Sequence, residues 1–174
     1  MKINFLRVAV MFAFTAMISC VLLANAKDEI YGVAQDFEWR IDDGTLYISG
    51  HGEMPYREWQ FYEDIYYPWD NFDGNDDDNP GYREIVIENG ITSISDDAFA
   101  NSKVSSITIP DSVVKIGADA FYGTPWYNNQ PDGLVYINRV AYQWKGDMPE
   151  NTTVTLSENT VSISANCFFE CENL

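Results

Sequence analysis

The chain has 174 residues, room for one modest domain, and carries 27 acidic against 10 basic side chains for a formal charge of −17. A surface that acidic repels phosphate backbones, which argues against nucleic acid as a partner. Aromatic residues make up 15% of the chain, too many for a disordered acidic tail, so a packed core is expected.

Residues 1–26 read as a secretory signal peptide. Lys2 and Arg7 supply the positive start, Val8 to Leu23 is apolar apart from Thr15, Ser19 and Cys20, and Ala24-Asn25-Ala26 supplies a small-x-small cleavage site. The apolar run is ~16 residues, short of the ~20 that a membrane span needs. A retained anchor and lipoprotein processing at Cys20 are the rival fates. Met17-Ile18-Ser19 ahead of Cys20 and the still-apolar Val21-Leu22-Leu23 behind it favour cleavage after Ala26 instead. Losing Lys2 and Arg7 leaves 8 basic against 27 acidic residues, a formal charge of −19. The expectation is a secreted or cell-surface protein with no stable membrane span after cleavage. Cys167 and Cys171 then remain, too few for a disulfide framework, so packing must hold the fold.

Residues 27–82 read as an N-terminal capping segment of β structure and aromatic residues. Phe37, Trp39 and Ile41 alternate, Asp42-Asp43-Gly44 turns, and Leu46 and Ile48 alternate on the return, which predicts a β-hairpin at the end of the fold. A dense aromatic stretch comes next. From it Trp59, Tyr62 and Trp69 are candidate ligand contacts, since exposed rings stack on sugars; the alternative is that these rings pack as a cap over the residues from 83 onward. The run Asp70 to Asn79 offers oxygen ligands for Ca²⁺ around Gly74, but its spacing does not follow the EF-hand rule. A solvated loop is the other reading, and no cofactor or metal is assigned.

From residue 83 the chain repeats. Ile85, Ile87, Ile91, Ile94, Ala98 and Phe99 recur 22 residues later as Ile107, Ile109, Val113, Ile116, Ala120 and Phe121. A third copy places Val154, Leu156, Ile163, Cys167 and Phe168 in the same slots, with Thr160 breaking the pattern. Three units result, near 83–104, 105–126 and 152–174, with a hairpin inserted at 127–149. Each unit predicts a short strand with alternate residues inward, a turn, a second apolar rung, and a short helical turn that plugs Phe99, Phe121 or Phe168 into the stack. One such unit cannot bury its own face, so neighbours must share a continuous core. In the insertion, Leu134 and Tyr136, then Val140, Tyr142 and Trp144, alternate around Asn138-Arg139. Trp144 either packs on the repeats or faces a ligand, and it is the fourth candidate contact.

The pattern Ile-x-Ile-Pro-x-Ser-Val-x-x-Ile-Gly-x-x-Ala-Phe from Ile107 resembles the BspA-like leucine-rich repeat of bacterial surface proteins. In that family a Cys commonly follows the Phe by three residues; Cys171 holds that place, and Ser102 and Thr124 hold it in the other copies. Asp43 to Pro55 with Pro68-Trp69 is similar to the segment that often precedes such repeats. Asp132 to Tyr136 and Val140 to Gly146 are similar to a hairpin often inserted between them. The resemblance implies a mainly β repeat solenoid with short helical turns, an N-terminal hairpin cap and an inserted hairpin. It also implies adhesion to host or matrix proteins. The chain departs from the family in its acidic loop and in stopping where a next strand is due, which reads as a fragment of a longer array or an end covered by a partner.

Catalytic machinery is not legible. The only histidine, His51, stands between glycines in a bend with no assignable partner. Cys167 and Cys171 make no recognisable zinc site, and no spacing selects a pair of carboxylates. The chain is therefore expected to be a non-catalytic binding module for an extracellular protein or glycan, with a glycan-processing accessory as the alternative.

Overall fold

Alternating apolar residues build the first strands in the computed structural model, which describes residues 30–34, 37–54, 67, 69–70, 81–171 and 173. The expected signal peptide, Trp59, Tyr62 and residues 71–79 of the acidic run lie outside the described residues. Strand β1 (Ile30–Ala34) pairs antiparallel with β2 (Phe37–Asp42), and β2 with β3 (Thr45–Ser49). Phe37, Trp39 and Ile41 are buried while Glu38 and Arg40 face solvent. Asp43 (φ 48°) and Gly44 (φ 73°) both take left-handed conformations, the two-residue turn whose twist matches the flanking strands.

Past a bend at His51 comes β4 (Gly52–Glu53), and then the 22-residue period takes over. Each period contributes two strands: β5 (Glu84–Ile87) and β6 (Ile91–Ile94), then β7 (Ser106–Thr108) and β8 (Lys115–Ile116). Strands one period apart pair in parallel. In the first sheet β3 sets Leu46 beside Ile85 and Ile48 beside Ile87, and β5 sets Ile85 beside Ile107, giving the order β1-β2-β3-β5-β7. In the second, β4, β6 and β8 lie side by side, with Ile94 beside Ile116. The N-terminal meander therefore shares the first sheet with the repeats, and β3 occupies the position a preceding unit would fill.

The turns are stitched in the same way. Asp97 N–H donates to Ala118 O at 3.0 Å and Phe99 N–H to Ala120 O at 2.9 Å, linking unit to unit. The expected short helical turns at Phe99 and Phe121 are turns without helix, for a backbone reason. Asp97 (φ 55°) and Asn101 (φ 61°) bracket the first, Asp119 (φ 54°) and Gly123 (φ 74°) the second, and Asn166 (φ 64°) and Glu170 (φ 62°) the third. A left-handed residue cannot propagate a right-handed helix, and Asp, Asn and Gly tolerate that conformation best. In the first two units the hydroxyl three residues past the Phe closes the turn: Ser102 Oγ donates to Phe99 O at 2.8 Å and Thr124 Oγ1 to Phe121 O at 2.7 Å. Thr124 also caps the one helix among the described residues, α1 (Pro125–Asn128), by accepting from Tyr127 N–H.

Rings run through the core from one unit to the next. Tyr67 stacks on Trp69 at 5.1 Å, Trp69 on Phe99 at 5.8 Å, and Phe99 on Phe121 at 5.3 Å. The insertion extends this ladder. Its strands β9 (Gly133–Ile137) and β10 (Val140–Lys145) pair antiparallel around Asn138 (φ 49°) and Arg139, with an irregularity between Ala141 and Gln143. Tyr142, 1% exposed, meets Phe121 edge-on at 6.1 Å, and β10 pairs in parallel with β11 (Ser162–Ile163) of the third unit. The hairpin thus stands as a rung between the second and third units.

That placement corrects four positions assigned to the repeat core. Residues 152–157 form no strand, because the hairpin separates them from β7; Ser157 N–H donates to Tyr136 Oη at 3.0 Å instead. Val154 and Phe168 are half-buried, while Leu156 (37%) and Ile163 (49%) are exposed, since among the described residues no rung stacks on the outer side of the third unit. Ile107 and Ile109 are half-buried for a related reason: β7 is the last strand of its sheet. Ile85, Ile87, Ile94, Ile116, Phe99 and Phe121 are fully in the core.

Tyr142 offers a test of the hairpin's part in the stack. Its hydroxyl accepts from Phe121 N–H at 2.8 Å, and burial holds its pKa well above the ordinary tyrosine value. Tyr142→Phe strands that buried N–H and is expected to cost about 1–3 kcal/mol in urea unfolding. The native state keeps the Tyr142 proton where the unfolded chain releases it, near pH 10, so this part of the stability is present below pH ~10 and lost as pH rises further. The Phe variant should therefore lose stability less steeply than the parent above pH ~10; equal slopes would show that Tyr142 does not carry the alkaline loss.

Candidate functional site

The left-handed turns carry a consequence for the surface. Because Phe99 and Phe121 point into the stack, the residues after them, Ala100 and Tyr122, face outward, and Phe169 follows the half-buried Phe168 in the same slot. Tyr122 is 53% exposed and Phe169 69% exposed. Both line an open cleft of about 750 Å³ between the turns of the three units and the far end of β10. Asp97 and Asp119, the first left-handed residues of their turns, and Glu170, the last left-handed residue of the third, line it too, together with Asp147 beyond the hairpin.

The walls are pinned by hydrogen bonds. Trp144 N–H donates to Cys167 O at 2.7 Å, and Gln143 Nε2 reaches Asp119 Oδ1 at 3.4 Å. Trp144 is half-buried in the wall, its indole nitrogen covered and making no hydrogen bond among the described residues. No lysine or arginine lines the cleft among the described residues. Lys145, next to Trp144 in sequence, turns away: its ammonium donates to Asn128 O at 3.0 Å and to Gln130 O, with Asp132 at 3.8 Å.

The cysteines beside the cleft are quiet. Cys167 is buried and Cys171 half-buried; burial, with Cys171 nearby, pushes the Cys167 thiol up to about 11, and burial also raises Cys171. Thiols so shifted stay protonated near neutral pH and are poor nucleophiles. Among the described residues no group of three or more His, Cys, Asp or Glu side chains is placed to hold a metal ion. His51 is exposed in its bend. A second, smaller groove of about 320 Å³ runs along the second sheet, where Lys115 and Glu53 pair at 2.8 Å and the pairing lowers the Glu53 pKa.

Of the two candidate ligand contacts that lie among the described residues, Trp69 and Trp144, the cleft holds Trp144. Trp69 is corrected: it is 1% exposed, stacked between Tyr67 and Phe99, with its indole N–H donating to Ala98 O at 2.9 Å. It belongs to the core because its ring fills the ladder position ahead of Phe99. Sequence reasoning missed Tyr122, Phe169 and the turn carboxylates. A signal for the rings was present, since the slot after the repeat's Phe reads Ala100, Tyr122, Phe169 along the units.

Residues 78–174 match the family model described as a BspA type leucine-rich repeat region of six copies. The chain is also similar to a leucine-rich repeat protein from Eubacterium ventriosum ATCC 27560, known from a crystal structure at 2.50 Å resolution, with 29% identity and a TM-score of 0.44. That match covers 55% of this chain and 24% of the other, so this chain corresponds to about a quarter of that protein's length. No curated protein gives a significant match. With the family model matched over more than half its length, on parallel strands one period apart, the chain belongs to the BspA-type leucine-rich repeat family.

Proposed function

We propose that this protein is an exported, non-catalytic binding module that holds an extracellular protein at the cell surface or in the medium. The observation that carries the reading is the cleft of Tyr122, Phe169 and Trp144, assembled from successive units and the hairpin on a hydrogen-bonded backbone. Repeat stacks present broad surfaces without an enclosed pocket, and such surfaces suit macromolecular partners. Export is supported by the sequence of residues 1–26. Among the described residues no helix is long and apolar enough to cross a membrane. The N-terminal meander is the cap of a repeat solenoid in this reading, since β3 shields the inward residues of β5 as a preceding rung would.

Purified protein would be tested on a panel of extracellular matrix proteins and on a glycan array. The expected result is saturable binding to a protein, weakened about tenfold or more by Tyr122→Ala combined with Phe169→Ala, two exposed rings of the type that dominate interfaces. Binding to glycans with no protein ligand would transfer the function to a carbohydrate-binding accessory. Turnover of a glycan substrate would end the non-catalytic reading.

A further inference from the structure

We propose that the cleft accepts a cationic peptide segment, a lysine or arginine side chain being held by the rings of Tyr122 and Phe169 and the carboxylates of Asp119, Asp147 and Glu170. This names the ligand class of the site just described and rests on that reading. Charge is the first argument. Acidic residues from the first two units, from the segment after the hairpin and from the third unit line one open cleft, and no basic residue among the described ones lines it. Clefts lined by one sign of charge concentrate ligands of the other, and the formal charge of −17 steers them from a distance. Lys145, the base closest in sequence, is committed to Asn128, Gln130 and Asp132 outside the cleft.

Exposed rings supply the second argument. A single exposed apolar side chain needs no explanation. Here Tyr122 and Phe169 come from two units, are both more than half exposed, and line the same cleft as the carboxylates. An aromatic face carries a negative quadrupole that attracts ammonium and guanidinium groups, and flanking carboxylates strengthen the attraction. A neutral sugar would use the rings and leave most of that charge unused. A bare divalent ion would use the charge and leave the rings unused, and the described residues form no metal-holding group. A lysine or arginine side chain uses both, its stem against the rings and its head among the oxygens.

The probe is a fluorescein-labelled, C-amidated tetralysine, read by fluorescence anisotropy against the full chain, with tetraglutamate and chitotetraose beside it. Tetralysine should bind, more weakly as salt rises, and tetraglutamate should not. Tyr122→Ala with Phe169→Ala, and separately Asp147→Asn with Glu170→Gln, should each weaken tetralysine roughly fivefold. Glu38→Gln with Glu84→Gln makes the same charge change on exposed residues of the first sheet and should stay within about twofold, as expected when the site and not the net charge binds. Equal losses in the two charge pairs would reduce the effect to diffuse attraction and overturn the proposal. Chitotetraose binding with tetralysine silent would overturn it in favour of a glycan site. If tetralysine fails while a matrix protein still binds, the ligand class falls and the binding-module reading stands. Unchanged melting temperatures of the variants would separate loss of binding from loss of fold.

Discussion

Phe121→Ala is expected to lower the unfolding free energy by about 3–5 kcal/mol, the range for removing a buried aromatic ring. Phe121 is 0% exposed and sits where three parts of the molecule meet. Phe99 of the preceding unit stacks on it at 5.3 Å, Trp126 of α1 meets it at 5.4 Å, and Tyr142 of the hairpin at 6.1 Å. Those partners are held by backbone hydrogen bonds between units, so collapse into the vacated space is limited and a cavity remains. Urea unfolding followed by tryptophan fluorescence is the measurement. Tyr122→Ala, one residue along and 53% exposed, serves as the control and should change stability by no more than about 1 kcal/mol. A Phe121→Ala cost as small as the control's would mean that the ring ladder does not hold the units together.

Gly117→Val is the second large effect, expected at about 3 kcal/mol or more, at the upper end of overpacking costs. A Cβ at Gly117 would lie 2.3 Å from Asp96 N and 2.5 Å from Ser95 C, atoms of the preceding unit's backbone that cannot swing aside. The same approach is what allows Gly117 N–H to donate to Ile94 O at 2.8 Å and Ala118 N–H to reach Asp96 Oδ1 at 2.8 Å. A branched side chain would force the rungs apart and break both bonds. The lowered urea midpoint should come with an unchanged slope if the variant remains two-state. A midpoint within error of the parent would sink the claim that Gly117 sets the spacing between units.

The two residues are not equally visible in the sequence. Phe121 was legible because Phe99 and Phe168 share its slot. Gly117 stands in the repeat pattern that begins at Ile107, but its close packing was not legible, because the corresponding positions of the other copies hold Ser95 and Ser164. Ser95 is tolerated because its neighbour is the short β4 segment, where its Oγ donates to Met54 O at 2.8 Å. The close approach at Gly117 is to Ser95 and Asp96 of the first unit, and a pattern averaged over copies conceals it. The third unit went astray in the same way. Leu156 and Ile163 fit the apolar template, yet both are exposed, since burial in a stack depends on the next rung and not on the residue.

Trp69 and Tyr122 show the same division at the surface. Both are aromatic residues near a turn. One fills the ladder ahead of Phe99, and the other is turned outward by Asp119 and Gly123 on either side of its turn. Composition cannot separate them; left-handed backbone conformations at fixed places in the period can.

By itself the sequence determined the 22-residue period, the alternation within the strands and, in the first two units, the inward Ile85, Ile87, Ile94, Phe99, Ile116 and Phe121. These arise from local geometry, in which side chains alternate along a strand and apolar residues leave water wherever they recur. Tertiary structure alone decided that the hairpin becomes a rung, that β3 joins the repeat sheet, and that Tyr122, Phe169 and Trp144 share a cleft with four carboxylates. Those outcomes depend on which units become neighbours, and no residue's own preference records its neighbour one period away.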